Sequence, residues 1–142
     1  MEKFIELGQD MVLLWTNHWD RYLIGIRSTL ILAVVATVIG CLIGLLCGIL
    51  NTIPYTRQDN VVKRFFLRLV RVIVRVYVEV FRGTPMMLQA VFIYYGLPYF
   101  TDQQIMFRGN SGMWMAAIIV VSINTGAYMA ETVRGGILSI DP

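Results

Sequence analysis

Residues Ser28–Leu50 read STLILAVVATVIGCLIGLLCGIL, 23 residues without a charge. A helix needs about 20 mainly apolar residues to cross the hydrocarbon core of a bilayer, so this run is long enough by itself. Two more uncharged runs follow, Gly83–Thr101 with 19 residues and Gly109–Ala130 with 22. They account for a chain of 142 residues that is 57% hydrophobic and only 15% charged. Soluble domains have about 45–50% apolar and about 25% charged residues. The expected fold class is therefore an all-α membrane protein, an interfacial N-terminal helix plus three transmembrane helices.

Charge sets the expected orientation. Seven of the twelve basic residues lie between Arg57 and Arg82. In a soluble protein such a cluster suggests nucleic acid; beside apolar spans, the positive-inside rule explains it, and nucleic acid is not expected. The basic segment is thus placed in the cytoplasm, with the N-terminus and the loop Pro98–Gly112 outside and Arg134 inside. The N-terminal stretch sets Glu2, Glu6, Asp10 and Asp20 against Lys3 and Arg21, which lacks the basic start of a cleaved signal peptide. Cys41 and Cys47, six apart on one helix, point in different directions and cannot bridge.

The expected segments are an outer interfacial helix (1–21), a first span (22–50) and a basic cytoplasmic segment (51–75) entering a second span (76–100). An outer loop (101–112), a third span (113–131) and a cytoplasmic loop (132–142) follow. In the first, Phe4, Leu7, Met11, Leu14, Trp15, Trp19 and Tyr22 share a helical stripe, with the aromatics at headgroup level. His18, the single histidine, reads as an interfacial polar residue, since no second histidine or cysteine pair supports a metal. Gly40, Gly44 and Gly48 repeat every four residues, which fits a face that lets a neighbouring helix approach.

Arg64, Arg68, Arg71, Arg75, Glu79 and Arg82 fall on one helical face. They precede an uncharged run rather than sit within one, which argues against a voltage sensor. At the end of this face stands Phe81-Arg82-Gly83-Thr84-Pro85. Thr84 can cap a fresh helix with Pro85 in its first turn, or Pro85 can kink a continuous one; a built-in kink fits better than a loop. Glu79 and Arg82, three apart, can pair and so lower the cost of burial. Within the spans, Gln89, Asn124 and Thr125 can bond helix to helix or line a polar path. No Ser/His/Asp set, zinc spacing or phosphate-binding loop is present; Arg134-Gly135-Gly136 lacks the P-loop lysine. An enzyme is not expected, and no catalytic or metal-binding residue is assigned.

Two stretches carry a resemblance: FRGTPMMLQAVFIYYGLP (Phe81–Pro98) and AYMAETVRGGILSIDP (Ala127–Pro142). Together they resemble the permease subunits of ABC importers for polar amino acids. The resemblance implies the permease fold, with the N-terminus outside, in the bacterial cell membrane. It implies a translocation pathway shared with a second permease subunit, identical or a sister. An extracytoplasmic binding protein would deliver the amino acid, and ATP would be used by a cytoplasmic ATPase partner, with no cofactor bound by this chain. Glu131, Arg134, Gly135 and Gly136 would lie at the approach to the ATPase, and Gln89, Asn124 and Tyr128 would be candidates for the pathway lining. The sequence departs from the family by stopping at Asp141-Pro142, before the family's Gly-Gln and Glu-Ala-Ala. A truncated permease, not competent alone, is therefore expected. The alternatives are a three-span assembly module built on the glycine face and a small channel-like protein.

Overall fold

The structure, a computed structural model, describes residues 1–54, 60–101, 107 and 109–140, the side chains of residues 2, 5 and 6 excepted. The readings that fell on Arg57, on Asp102, Gln103, Gln104 and Arg108 of the outer loop, and on Asp141-Pro142 lie outside the described residues. All regular structure among the described residues is helical. The chain divides into two units, Met1–Ala33 and Val34–Pro142.

The first unit is the beginning of helix α1, Glu2–Thr52. Trp15 and Tyr22, seven residues and two turns apart, stack with ring centroids 5.5 Å apart. A boundary near residue 21, between an interfacial helix and the first span, is not seen, because α1 runs through it without a break. Asp20-Arg21-Tyr22-Leu23 contains no proline, and the isolated Gly25 costs a helix only about 1 kcal/mol. The hydroxyl of Thr29 donates to the Gly25 carbonyl at 2.9 Å, satisfying itself inside the apolar helix.

The second unit holds the rest of α1, then α2 (Val61–Gly83), α3 (Met86–Val91), a π-helical turn (Phe92–Gly96), α4 (Leu97–Phe100) and α5 (Gly109–Leu138). Its core is thin. Val74 and Val78 of α2 meet Ala130 of α5, with Cys47, Val70 and Tyr77 around them. Among the described hydrophobic residues, only Ala36 and Ala127 are completely buried. Close backbone approach replaces bulk. A Cβ built on Gly40 would stand 2.7 Å from Thr125 Cβ, on Gly44 2.4 Å from Met129 Cβ, and on Gly48 2.7 Å from Val133 Cβ. The glycine face of α1 therefore lies against α5, where dispersion between backbones holds the pair.

Two residues out of phase with the glycines, Val34, Val38, Leu42 and Leu46 stand 55–63% exposed on the opposite face of α1. In water such a stripe would promote aggregation; in a bilayer it faces a matching solvent. Among the described residues, two helical stretches, Leu7–Thr52 and Gly109–Leu138, are long and apolar enough to cross a membrane.

The middle run behaves differently from the single span expected over 76–100. α2 ends at Gly83, Thr84 is extended (φ −109°, ψ 140°), and helix resumes at Met86. Only a shorter apolar helix, Met86–Phe100, follows. Pro85 and Pro98 explain this, since neither can donate to the preceding turn. Just before Pro98 the helix widens, with the Leu97 N–H reaching back five residues to the Phe92 carbonyl.

α5 also differs from expectation. It continues beyond residue 131 through Gly135 and Gly136 to Leu138, so the start of the expected loop is helical. Two glycines do not stop a helix already propagated over many turns. At its other end, Gly109 takes φ +65°, a left-handed conformation open to glycine without penalty.

Candidate functional site

The break between α2 and α3 creates a hydrogen-bonding deficit that the tertiary structure fills. In a continuous helix the Phe81 carbonyl would accept from the N–H of residue 85, and proline has none. The Thr84 carbonyl loses its helical partner too, because the Leu88 N–H turns to the Pro85 carbonyl at 3.0 Å. One side chain supplies both. Nε2 of Gln89 donates to the Phe81 carbonyl at 2.9 Å, the Thr84 carbonyl at 3.0 Å and Thr84 Oγ1 at 2.8 Å. From α5, Nδ2 of Asn124 donates to the Phe81 carbonyl and to Oε1 of Gln89, both at 3.2 Å. Gln89 is only 7% exposed. Thr84 does not cap the new helix with its side chain; its hydroxyl donates back to the Val80 carbonyl at 2.8 Å.

Beside this network, an open crevice of about 820 Å³ is lined by the end of α1, one face of α2 and the last turns of α5. The basic face supplies Arg71, Arg75, Glu79 and Arg82, and α5 supplies Tyr128, Glu131 and Arg134. Arg71 donates to the Ile53 carbonyl, tying α2 to the end of α1. The expected Glu79–Arg82 ion pair is not formed. The Arg82 guanidinium instead lies over the ring of Tyr128, 5.4 Å from its centroid, because α5 presents an aromatic face there. Arg134 makes a two-point contact with Glu131, three residues before it on the same helix, its Nε donating to Oε2 at 3.0 Å.

The structure thus joins Gln89 to Asn124 and sets Tyr128 four residues further along α5, half-exposed in the crevice. Gly83 lines that crevice as well. A Cβ on Gly83, Gly135 or Gly136 would meet nothing within 4 Å. Sequence reasoning missed Tyr77, whose hydroxyl donates to the Ile123 carbonyl at 2.6 Å. The available signal was a phenol in an apolar helix face, which needs a partner when buried.

Long apolar helices, a core of small residues and a broken helix stitched by side-chain amides define an all-α membrane protein. No protein-family model matches the chain. Over 66 residues it is 46% identical to the glutamine transport system permease protein GlnP of Escherichia coli K12, covering 46% of this chain and 27% of that one. It is 42% identical over 65 residues to the arginine transport system permease protein ArtQ of Bacillus subtilis, covering 46% and 27%. With the octopine transport system permease protein OccM of Rhizobium radiobacter it shares 42% identity over 69 residues, covering 46% and 28%. A crystal structure of an amino acid ABC transporter with histidines matches with a TM-score of 0.71 and 28% identity, over 92% of this chain and 52% of that one. The chain is therefore similar to permease subunits of ABC transporters for polar amino acids, and spans 27–28% of the length of these curated relatives.

Proposed function

We propose that this chain forms part of the translocation pathway of an ATP-driven importer for a polar amino acid, as a membrane-spanning subunit. The observation that carries the reading is the likeness, over 92% of the chain, to a solved amino acid ABC transporter. The geometry supports it. Non-helical backbone is tolerated at membrane depth only where protein or a water-filled cavity supplies hydrogen bonds. The Thr84–Pro85 break is supplied by Gln89 and Asn124, and a polar crevice opens beside it. In this reading Gln89, Asn124 and Tyr128 belong to the pathway region. Glu131, Arg134, Gly135 and Gly136 form the approach to a cytoplasmic ATPase, which consumes the ATP; this chain binds no cofactor. A second permease subunit completes the pathway, and an extracytoplasmic binding protein delivers the amino acid. The chain sits in the bacterial cell membrane with its N-terminus outside, the orientation favoured by the basic residues of α2.

Purification of the tagged protein from its native membrane tests the reading. An ABC-type ATPase should copurify, and its ATP turnover should rise when a polar amino acid and its binding protein are added. Recovery of the chain without an ATPase, or turnover indifferent to every polar amino acid, would overturn it.

A further inference from the structure

We propose that Gln89 and Asn124 are positioning residues, a carboxamide clasp that holds the end of α2, the start of α3 and the middle of α5 in one arrangement, and that neither contacts the transported molecule. Three oxygens surround Nε2 of Gln89, so both of its hydrogens are committed within the protein. Its Oε1 accepts from Asn124, and the side chain is 7% exposed. Both amide hydrogens and one oxygen lone pair of Gln89 are thus used within the protein, and the side chain does not line the crevice. The clasp replaces the hydrogen bond that Pro85 cannot make, so it sets the geometry of the break itself. Asn124 makes the arrangement dependent on α5, the helix that carries the Glu131–Arg134 pair two turns further on. A displacement of α5 must then stretch the clasp and alter the break between α2 and α3. Of the three, Tyr128 is the one that lines the crevice, half-exposed there.

This inference deepens the transport reading, and its kinetic arm rests on it; its labelling arm does not. For labelling, Cys41 and Cys47 are first replaced by alanine, and Gln89→Cys, Asn124→Cys and Tyr128→Cys are compared in membranes with a membrane-impermeant thiol reagent. Tyr128→Cys should react at least about tenfold faster than the other two, because Tyr128 lines the crevice and neither Gln89 nor Asn124 does. Comparable rates would overturn the clasp whether or not the protein transports anything. For kinetics, Gln89→Glu and Asn124→Ser are assayed for amino acid uptake per folded protein in the intact transporter. A positioning role lowers maximal uptake by about tenfold or more while the half-saturating concentration stays within about twofold. A raised half-saturating concentration with maximal uptake retained marks a ligand contact and sinks the proposal. Unchanged kinetics in folded variants also sink it, by reducing the pair to scaffolding. Should Gln89→Glu not reach the membrane, Asn124→Ser, which removes the same link without adding a charge, carries the test.

Discussion

The Tyr77 hydroxyl of α2 donates to the Ile123 carbonyl of α5 at 2.6 Å, and it does so over Gly126, where a Cβ would come within 2.7 Å of that oxygen. The contact needs a phenol on one helix and the absence of a side chain on the other. Tyr77→Phe should lower stability in detergent by about 0.6–2 kcal/mol, the range for hydrogen bonds between membrane helices. Gly126→Ala should also destabilise, and by less in the Tyr77→Phe background than alone, because the displaced oxygen is gone. Thermal unfolding of the single and double variants measures this coupling; strict additivity would contradict it.

The glycine face makes a sharper forecast. A Cβ on Gly44 would lie 2.4 Å from Met129 Cβ and 2.8 Å from the Gly126 carbonyl oxygen, so α1 and α5 must separate to admit it. Gly44→Ala should cost about 1–3 kcal/mol, as overpacking does. At Gly25 a Cβ meets nothing within 4 Å. There the same substitution should stabilise by about 0.5–1 kcal/mol, through the lower backbone entropy of alanine. Melting temperatures of the two variants should move in opposite directions.

Arg82 faces Tyr128 rather than Glu79. Arg82→Ala and Tyr128→Leu should each cost about 0.5–1 kcal/mol through the lost cation–π contact, and the double variant should cost little more than either. Glu79→Gln should leave the Arg82→Ala effect unchanged. A double-variant cycle that shows coupling of Arg82 to Glu79 and none to Tyr128 would reverse the assignment.

The Glu131–Arg134 pair separates stability from function. Both side chains are about one-third exposed, 33% and 36%, so the pair should contribute no more than about 1 kcal/mol to stability, and less at high salt. If the pair meets the ATPase, Glu131→Gln should reduce amino-acid-stimulated ATP turnover far more than it lowers the melting temperature. Parallel small losses in both would limit the pair to local helix support.

Much of the architecture is written locally. The uncharged runs give helices long enough to cross a bilayer around Ser28–Leu50 and Gly109–Ala130, because length and apolarity suffice for that. The four-residue repeat of Gly40, Gly44 and Gly48 marks a face, and Pro85 marks an interruption, since each follows from backbone geometry alone. The resemblance carried by Phe81–Pro98 and the segment from Ala127 likewise needs no coordinates.

Partnership between distant residues is where local reasoning stops. Spacing can say that Glu79 and Arg82 are within reach; it cannot say that α5 offers Arg82 an aromatic ring instead. Spacing can mark Gln89 and Asn124 as polar residues in apolar helices. Only packing brings them together across 35 residues of chain, on the one carbonyl that Pro85 leaves without its partner. Local sequence is enough for the two long apolar helices, the glycine face of the first and the site of the break. The tertiary structure decided which helix meets the glycines and which amides close the break, because those depend on contacts that no local periodicity encodes.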